Sequence, residues 1–403
     1  MIHLSAPARY LILALSILLG LHWILALTHE EYGRATSLST LISGSNKPHR
    51  PDENLEQYYY TPPTPDPDTE TSLESISNVT HLLTDTSRRR ANATLLMLAR
   101  NGDVDGAVRS VREMEDRFNR RFGYPYVFLN EEPFSEEFKK RVSVLSNAPM
   151  EFGLIPHDHW YQPNWIDEPK AEAARKKMEN EQIIYGGSVS YRNMCRFNSG
   201  FFFKHPLVQQ YRWYWRIEPD VHFHCDVQFD PFLYMEDHDK VYSFTIAMYE
   251  FEATIPTLWQ TVTDFKNKHP EFIAKDNAMN FLSDNGGERY NLCHFWSNFE
   301  IADMEFWRGP AYTAFFEHLE STGGFYYERW GDAPVHSIAA ALFARKDQIH
   351  FWDEIGYEHN PYTHCPQSEA NWKRGKCSCN QQKSFDYDGY SCMMRWDQVM
   401  GWK

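Results

Sequence analysis

From Ala91 onward the chain alternates apolar runs of strand length with stretches of helical period, and that alternation limits the folds open to it. Thr94–Ala99 (TLLMLA) reads as a strand, and Arg100-Asn101-Gly102-Asp103 supplies a turn and a helix cap. Val104, Ala107, Val108, Val111, Met114 and Phe118 then recur at helical spacing. Tyr126–Leu129 is the next strand, Ser135–Val144 the next helix and Phe152–Ile155 the next apolar run, with a later helix at Ala333–Phe343. This order predicts an α/β domain with a mixed, mostly parallel central sheet flanked by helices. No G-x-G-x-x-G follows the first strand and no G-x-x-x-x-G-K-[ST] occurs, so the usual cradles for dinucleotide and P-loop chemistry are missing.

Forty basic against fifty-five acidic residues give a net charge of −15, which repels phosphate backbones and argues against a nucleic-acid partner. The N-terminal part reads differently from the domain. Tyr10–Leu27 (YLILALSILLGLHWILAL) carries no charged residue, and as a helix would span about 27 Å, enough for a thin bilayer. Arg9 precedes it while Glu30 and Glu31 follow, so the positive-inside bias places the N-terminus in the cytosol. The run is read as a signal anchor, the rival being a cleaved signal peptide. Residues 28–90 are rich in Pro, Ser, Thr, Asp and Asn and read as a lumenal stem. Two glycosylation sequons, at Asn78 and Asn92, fall at its end. The expected layout is a cytosolic tail at 1–9, a transmembrane helix at 10–27, a stem at 28–90 and one globular domain at 91–403.

Tyr211–Asp220 (YRWYWRIEPD) carries the most chemistry. An aromatic strand runs into Glu218-Pro219-Asp220, and a second β-like segment, Val221–Phe229, follows. Carboxylates two apart on a regular strand face opposite ways, but Pro219 breaks the ladder and allows a turn in which both address one ligand. An acidic chain that binds a nucleotide diphosphate needs a divalent ion between carboxylate and phosphate, and the carboxyl end of a strand is where an α/β sheet holds it. The other Asp-x-Asp pairs, 66/68, 103/105, 237/239 and 386/388, read as solvated loops.

The runs YRNMCRFNSGFFFKHP, YWRIEPDV, ATIPTLWQTVTDF, YNLCHFWSNFEIA and GGFYYERWGDAPVHSIAAALF, with the cysteine-bearing C-terminus, resemble the fungal Golgi α-1,2-mannosyltransferases of glycosyltransferase family fifteen. The resemblance implies a single GT-A-type catalytic domain on a type II anchor in the Golgi membrane. It further implies a retaining transfer of mannose from GDP-mannose to mannosylated glycoprotein acceptors, with Mn²⁺. By the same resemblance Glu218 and His359 contact the metal, with Asp220 beside them facing the ion or the donor. Glu300 matches the carboxylate assigned as nucleophile, and Tyr191 a tyrosine near donor phosphate and acceptor. Asp332 is assigned to acceptor sugar hydroxyls, and Arg100, after the first strand, to the nucleotide.

A mannosylphosphate transferase of the same family, a lumenal glycan-binding protein and a metal-dependent hydrolase are the competing readings. The hydrolase would want a richer His/carboxylate cluster than this chain offers. Cys365, Cys377, Cys379 and Cys392 cluster near the C-terminus, where lumenal oxidation favours disulfides over a zinc site. Cys195, Cys225 and Cys293 leave the connectivity open, and an odd count of seven leaves a thiol unpaired.

Overall fold

The computed structural model describes residues 50–51, 53–61 and 89–402. The apolar run at 10–27, the sequon at Asn78 and most of the expected stem lie outside the described residues. Among the described residues, no helix is long and apolar enough to cross a membrane.

The first expected elements form in order. β1 (Ala93–Leu98) is followed by α1 (Val104–Met114), whose buried face is Ala107, Val111 and Met114. The helical path continues to Phe122 and stops at Gly123, whose φ of 65° is the left-handed conformation that glycine adopts at least cost. β2 (Tyr126–Asn130), α2 (Glu136–Ser143) and β3 (Met150–Leu154) complete the unit, with the Ser135 hydroxyl accepting from the Phe138 N–H at the start of α2. β1 pairs in parallel with β2, and β2 with β3.

After α3 (Glu168–Asn180) and α4 (Val189–Gly200) the chain returns as β4 (Trp213–Arg216), which joins the other side of β1 in parallel. Then come β5 (Val221–Phe223), β6 (Tyr242–Phe244), β7 (Ala247–Tyr249), α5 (Leu258–Lys268), β8 (Cys293–Phe295) and β9 (Glu300–Asp303). α6 (Pro310–Ser321), α7 (Asp332–Phe343), β10 (Ile349–Phe351), β11 (Tyr357–His359), β12 (Tyr362–His364) and α8 (Met393–Met400) follow. The main sheet has the order β10-β6-β9-β4-β1-β2-β3, with β9 alone antiparallel to its neighbours. The domain is α/β with a mixed, mostly parallel sheet. Because β2 and β4 leave β1 on opposite sides, the carboxyl end of β1 is a switch point, where such sheets bind ligands.

Period-two alternation divides the side chains between two cores. Leu95, Met97, Trp213 and Trp215 enter one, while Leu96 and Tyr214 enter the other. Trp215 has Phe118, Phe223 and Phe299 at ring separations of 5.2, 5.8 and 5.4 Å. Each such pair contributes about 0.5–1.5 kcal/mol beyond simple burial.

Three expectations need correction. The strand-like run Val221–Phe229 is a strand only at β5, which leaves the main sheet for a small antiparallel one with β11 and β12. Part of the expected stem belongs to the globule: Leu55 and Tyr58 are buried, and the Tyr58 carbonyl accepts from the Asp230 N–H at 3.0 Å. Leu55 and the aromatics Tyr58 and Tyr59 are apolar anchors that averaging over a proline-rich segment hides. Asp386, read as solvated, is buried 2.9 Å from His364 and 3.6 Å from Arg50.

The cysteine ambiguity resolves as disulfides Cys225–Cys377, Cys293–Cys392 and Cys365–Cys379, with Cys195 buried and unpaired in α4. Two of the bonds reach from the C-terminal segment into the body of the domain.

Candidate active site

Alternation along β4 continues past its end. Tyr214, Arg216 and Glu218 project toward a cleft above the carboxyl ends of β1 and β2. Leu96, Leu98 and Leu129 form one wall, Phe197, Asn198 and Phe202 another, and Glu300 completes the lining. Glu300 enters because β9 pairs with β4 in a register that sets it opposite Arg216.

Arg216 organises the acidic groups. Its guanidinium lies 2.6 Å from Asp332 Oδ2, 2.5 Å from Glu218 Oε1 and 3.9 Å from Glu300 Oε1. Burial disfavours its charge, but the three carboxylates outweigh that and raise its pKa further. Ser297 donates to Asp332 at 2.8 Å, so this acid is engaged by protein groups at the start of α7.

Glu218 meets His359 on its other side. β11 pairs with β5 so that His359 stands opposite Val221, which brings its Nε2 to 3.5 Å from Glu218 Oε2. Burial raises the Glu218 carboxyl, yet Arg216 and His359 prevail and bring it down to about 2. Burial works against a charged His359, yet the hydrogen bond and charge of Glu218 raise its pKa above the usual histidine value. His359 Nδ1 lies 3.3 Å from the Asn360 carbonyl, which can only accept. With its proton on Nδ1, the neutral ring turns the Nε2 lone pair toward a carboxylate oxygen. Two electron-rich atoms so placed call for a cation between them, a proton or a metal. A carboxylate oxygen and an imidazole nitrogen fit Mn²⁺ as a sparse donor pair. Among the described residues, no group of three or more His, Cys, Asp or Glu gathers as a metal site.

Glu300 is buried and held at both oxygens. The Tyr214 hydroxyl donates to Oε1 at 2.9 Å, and His336 Nδ1 lies 3.0 Å from Oε2. Trp307 Nε1 donates to the Tyr214 oxygen at 3.0 Å.

The Glycolipid 2-alpha-mannosyltransferase family model matches residues 47–401. The chain belongs to this family. It is 53% identical over 312 residues to Glycolipid 2-alpha-mannosyltransferase 2 of Candida albicans, covering 77% of this chain and 68% of the relative. It is 50% identical to Alpha-1,2 mannosyltransferase KTR1 of Saccharomyces cerevisiae, covering 77% and 79%. The solved structure of mannosyltransferase Ktr4p from S. cerevisiae in complex with GDP superposes with a TM-score of 0.74 at 41% identity, covering 77% and 82%. Core-mannan synthase A from Aspergillus fumigatus, in its Mn/GDP-form, gives 0.75 at 35% identity, covering 88% and 92%.

The residues that the family resemblance singles out are not gathered in one place. Glu218, His359 and Glu300 converge through Arg216. Asp220 does not join them. Its φ of 63° turns the side chain away, onto Arg109 of α1 at 2.9 Å, and its N–H donates to the Gly106 carbonyl at 3.3 Å. The helix approaches the turn closely at Gly106, where a Cβ would sit 2.7 Å from Asp220 Oδ2 and 3.0 Å from Pro219 Cβ. The expected shared turn of Glu218 and Asp220 is thus split by the left-handed residue after Pro219.

Tyr191 is half-buried on α4, its ring stacked on Tyr185 at 4.4 Å with Arg329 5.1 Å away, outside the residues that line the cleft. Arg100 is exposed at the carboxyl end of β1, paired with Asp103 at 3.2 Å. Asn92 is exposed at the opposite end, its Nδ2 donating to the Gln210 carbonyl at 2.9 Å, while Thr94 of the same sequon is buried in β1.

Sequence reasoning missed Arg216, Tyr214 and His336. The signal for the first two was present: polar groups at alternate positions of a strand too aromatic to be exposed. His336 interrupts the otherwise apolar run of α7, and only the fold supplies its partner.

Proposed function

We infer that this protein transfers mannose from GDP-mannose to mannoside acceptors with α-1,2 linkage and retention of configuration. The observation that carries the chemistry is the Glu218–His359 pair at the mouth of a cleft into which Glu300 projects. The GDP complex of Ktr4p and the Mn/GDP-form of Core-mannan synthase A support a GDP-sugar donor and Mn²⁺ for this chain as well.

In this reading Glu218, just past the carboxyl end of β4, and His359 of β11 would hold the ion against the donor's diphosphate. When bound there, Mn²⁺ supplies positive charge against the departing diphosphate. A leaving group so stabilised needs no proton, so one carboxylate can suffice where a glycosidase uses two. Glu300 takes that role, which requires the anomeric carbon to bind about 3–3.5 Å from it with the phosphate on the opposite face. Arg216 keeps Glu218 ionised while remaining bound to Asp332, and it stands 3.9 Å from Glu300. Leu96, Leu98, Leu129, Phe197 and Phe202 give the sugar a dry wall. Residues 10–27 would anchor the chain in the Golgi membrane with the domain lumenal, where mannosylated glycoproteins are its acceptors.

The test is incubation of the protein with GDP-mannose, Mn²⁺ and methyl-α-mannoside, followed by linkage analysis. An α-1,2-linked disaccharide is expected. A mannosylphosphate product, or GDP binding without any transfer, would overturn the assignment. In the same assay His359→Ala should raise the Mn²⁺ concentration for half-maximal rate by at least about tenfold. Protons compete for His359 Nε2, so lowering the pH through its raised pKa should raise the Mn²⁺ concentration for half-maximal rate in the wild type and leave that of the variant unchanged. An unchanged Mn²⁺ requirement would remove His359 from the metal site.

A further inference from the structure

We propose that His336 is a positioning residue for the reaction: it carries the one proton shared with Glu300 and so presents Glu300 to the donor sugar as a fixed carboxylate. The proposal deepens the assignment above and rests on Glu300 as the group that faces the anomeric carbon.

His336 is fully buried on α7, with Nε2 3.0 Å from the Asn198 carbonyl of α4 and Nδ1 3.0 Å from Glu300 Oε2. A backbone carbonyl only accepts, so Nε2 carries hydrogen. Two arrangements then satisfy Nδ1. Either the ring is an imidazolium that donates to a carboxylate, or it is neutral and accepts from a protonated Glu300. Both contain the same number of protons, and they differ in which partner is charged.

The surroundings choose the first. Trp307 Nε1 donates to the Tyr214 oxygen, which leaves the Tyr214 hydroxyl proton for Glu300 Oε1 at 2.9 Å. The Arg216 guanidinium stands 3.9 Å from the same oxygen. A hydrogen-bond donor and a cation at Oε1 both favour a carboxylate. On the other partner, the Trp307 ring lies stacked on the His336 ring at 4.3 Å and 24°, and its π-face favours an imidazolium. The remaining groups packed around the pair are consistent with this assignment. Tyr312 of α6 presents its ring edge at 6.0 Å and Phe202 lies at 6.1 Å. Tyr242 of β6 is a buried phenol whose pKa burial raises well above its ordinary value, so it adds no charge beside the pair. Asp332, the acid at the start of the same helix, is bound to Arg216.

A carboxylate gripped at one oxygen by Tyr214 and at the other by His336 cannot rotate freely, and it keeps a full negative charge for the sugar carbon. A carboxylic acid in the same place would have no charge to offer.

Two measurements on the full chain test this. His336→Gln, which keeps an N–H donor and loses the positive charge, should lower kcat roughly 10²-fold while KM for GDP-mannose stays within about threefold. A kcat within threefold of wild type would overturn the proposal. The second measurement does not depend on that variant folding or on activity. The infrared difference spectrum of wild type minus Glu300→Gln should contain the paired carboxylate stretches and no carboxylic-acid C=O stretch. An acid C=O band in that difference would place the proton on Glu300 and overturn the proposal. Failure of the wild type to transfer mannose would instead strike the functional assignment, and the infrared result would still decide where the proton lies.

Discussion

Glu300→Gln should reduce turnover of GDP-mannose by roughly 10³-fold or more while affinity for GDP with Mn²⁺ stays within a few-fold. The substitution preserves shape. The amide that replaces the carboxylate can still accept from the Tyr214 hydroxyl and still reach His336, so β9 and its pairing with Arg216 remain in place. What it removes is the negative charge at the sugar carbon. The loss should therefore fall on kcat, with KM little changed. Isothermal titration with GDP, run beside a transfer assay, separates the two effects. Turnover within a few-fold of wild type would show that Glu300 does not face the reacting carbon.

Arg216→Met should damage both stability and donor binding. The guanidinium is buried and stands against Asp332, Glu218 and Glu300. A methionine of similar length fills the space and leaves three acids without their common cation. Removing one partner from a buried ion-pair cluster costs about 3–5 kcal/mol, because the charges left behind are neither solvated nor neutralised. For a domain of this size that corresponds to a fall in Tm of roughly 4–8 °C by calorimetry. A change smaller than about 2 °C would mean that the acids are solvated or protonated, and that Arg216 does not organise the site. Adding Asp332→Asn to Arg216→Met should recover part of the loss, since it removes one of the acids held closest to the guanidinium.

Much of the fold could be read from the chain because local pattern and tertiary environment agree. β1, β2 and α1 lie where apolar run and helical period placed them, and α7 begins one residue before its expected start. What escaped was non-local. β9 is four residues long, and its insertion between β4 and β6 depends on pairing partners far away in sequence. The seating of residues 53–61 rests on a few anchors inside a segment whose composition resembles a linker. Disulfide connectivity required knowing which strands the C-terminal segment meets.

The site divides in the same way. Glu218 was legible as a carboxylate where an aromatic strand ends at a proline. His359 and Glu300 were legible only through the family's motifs, because a lone histidine in a hairpin and a glutamate opening a short strand carry no signal by themselves. The sheet order then explains both: β9 beside β4 brings Glu300 to Arg216, and β11 beside β5 brings His359 to Glu218. Asp220 stands apart from Glu218 because the reversal after Pro219 depends on one left-handed residue that spacing does not reveal.

The most direct test of the whole account is a crystal grown with Mn²⁺ and a non-transferable GDP-mannose analogue, measured for anomalous scattering. The expected result is a single strong peak bridging Glu218 Oε2 and His359 Nε2, with the Glu300 carboxylate about 3–3.5 Å from the anomeric carbon and opposite the phosphate. A peak remote from Glu218, or a mannose ring bound out of reach of Glu300, would contradict it.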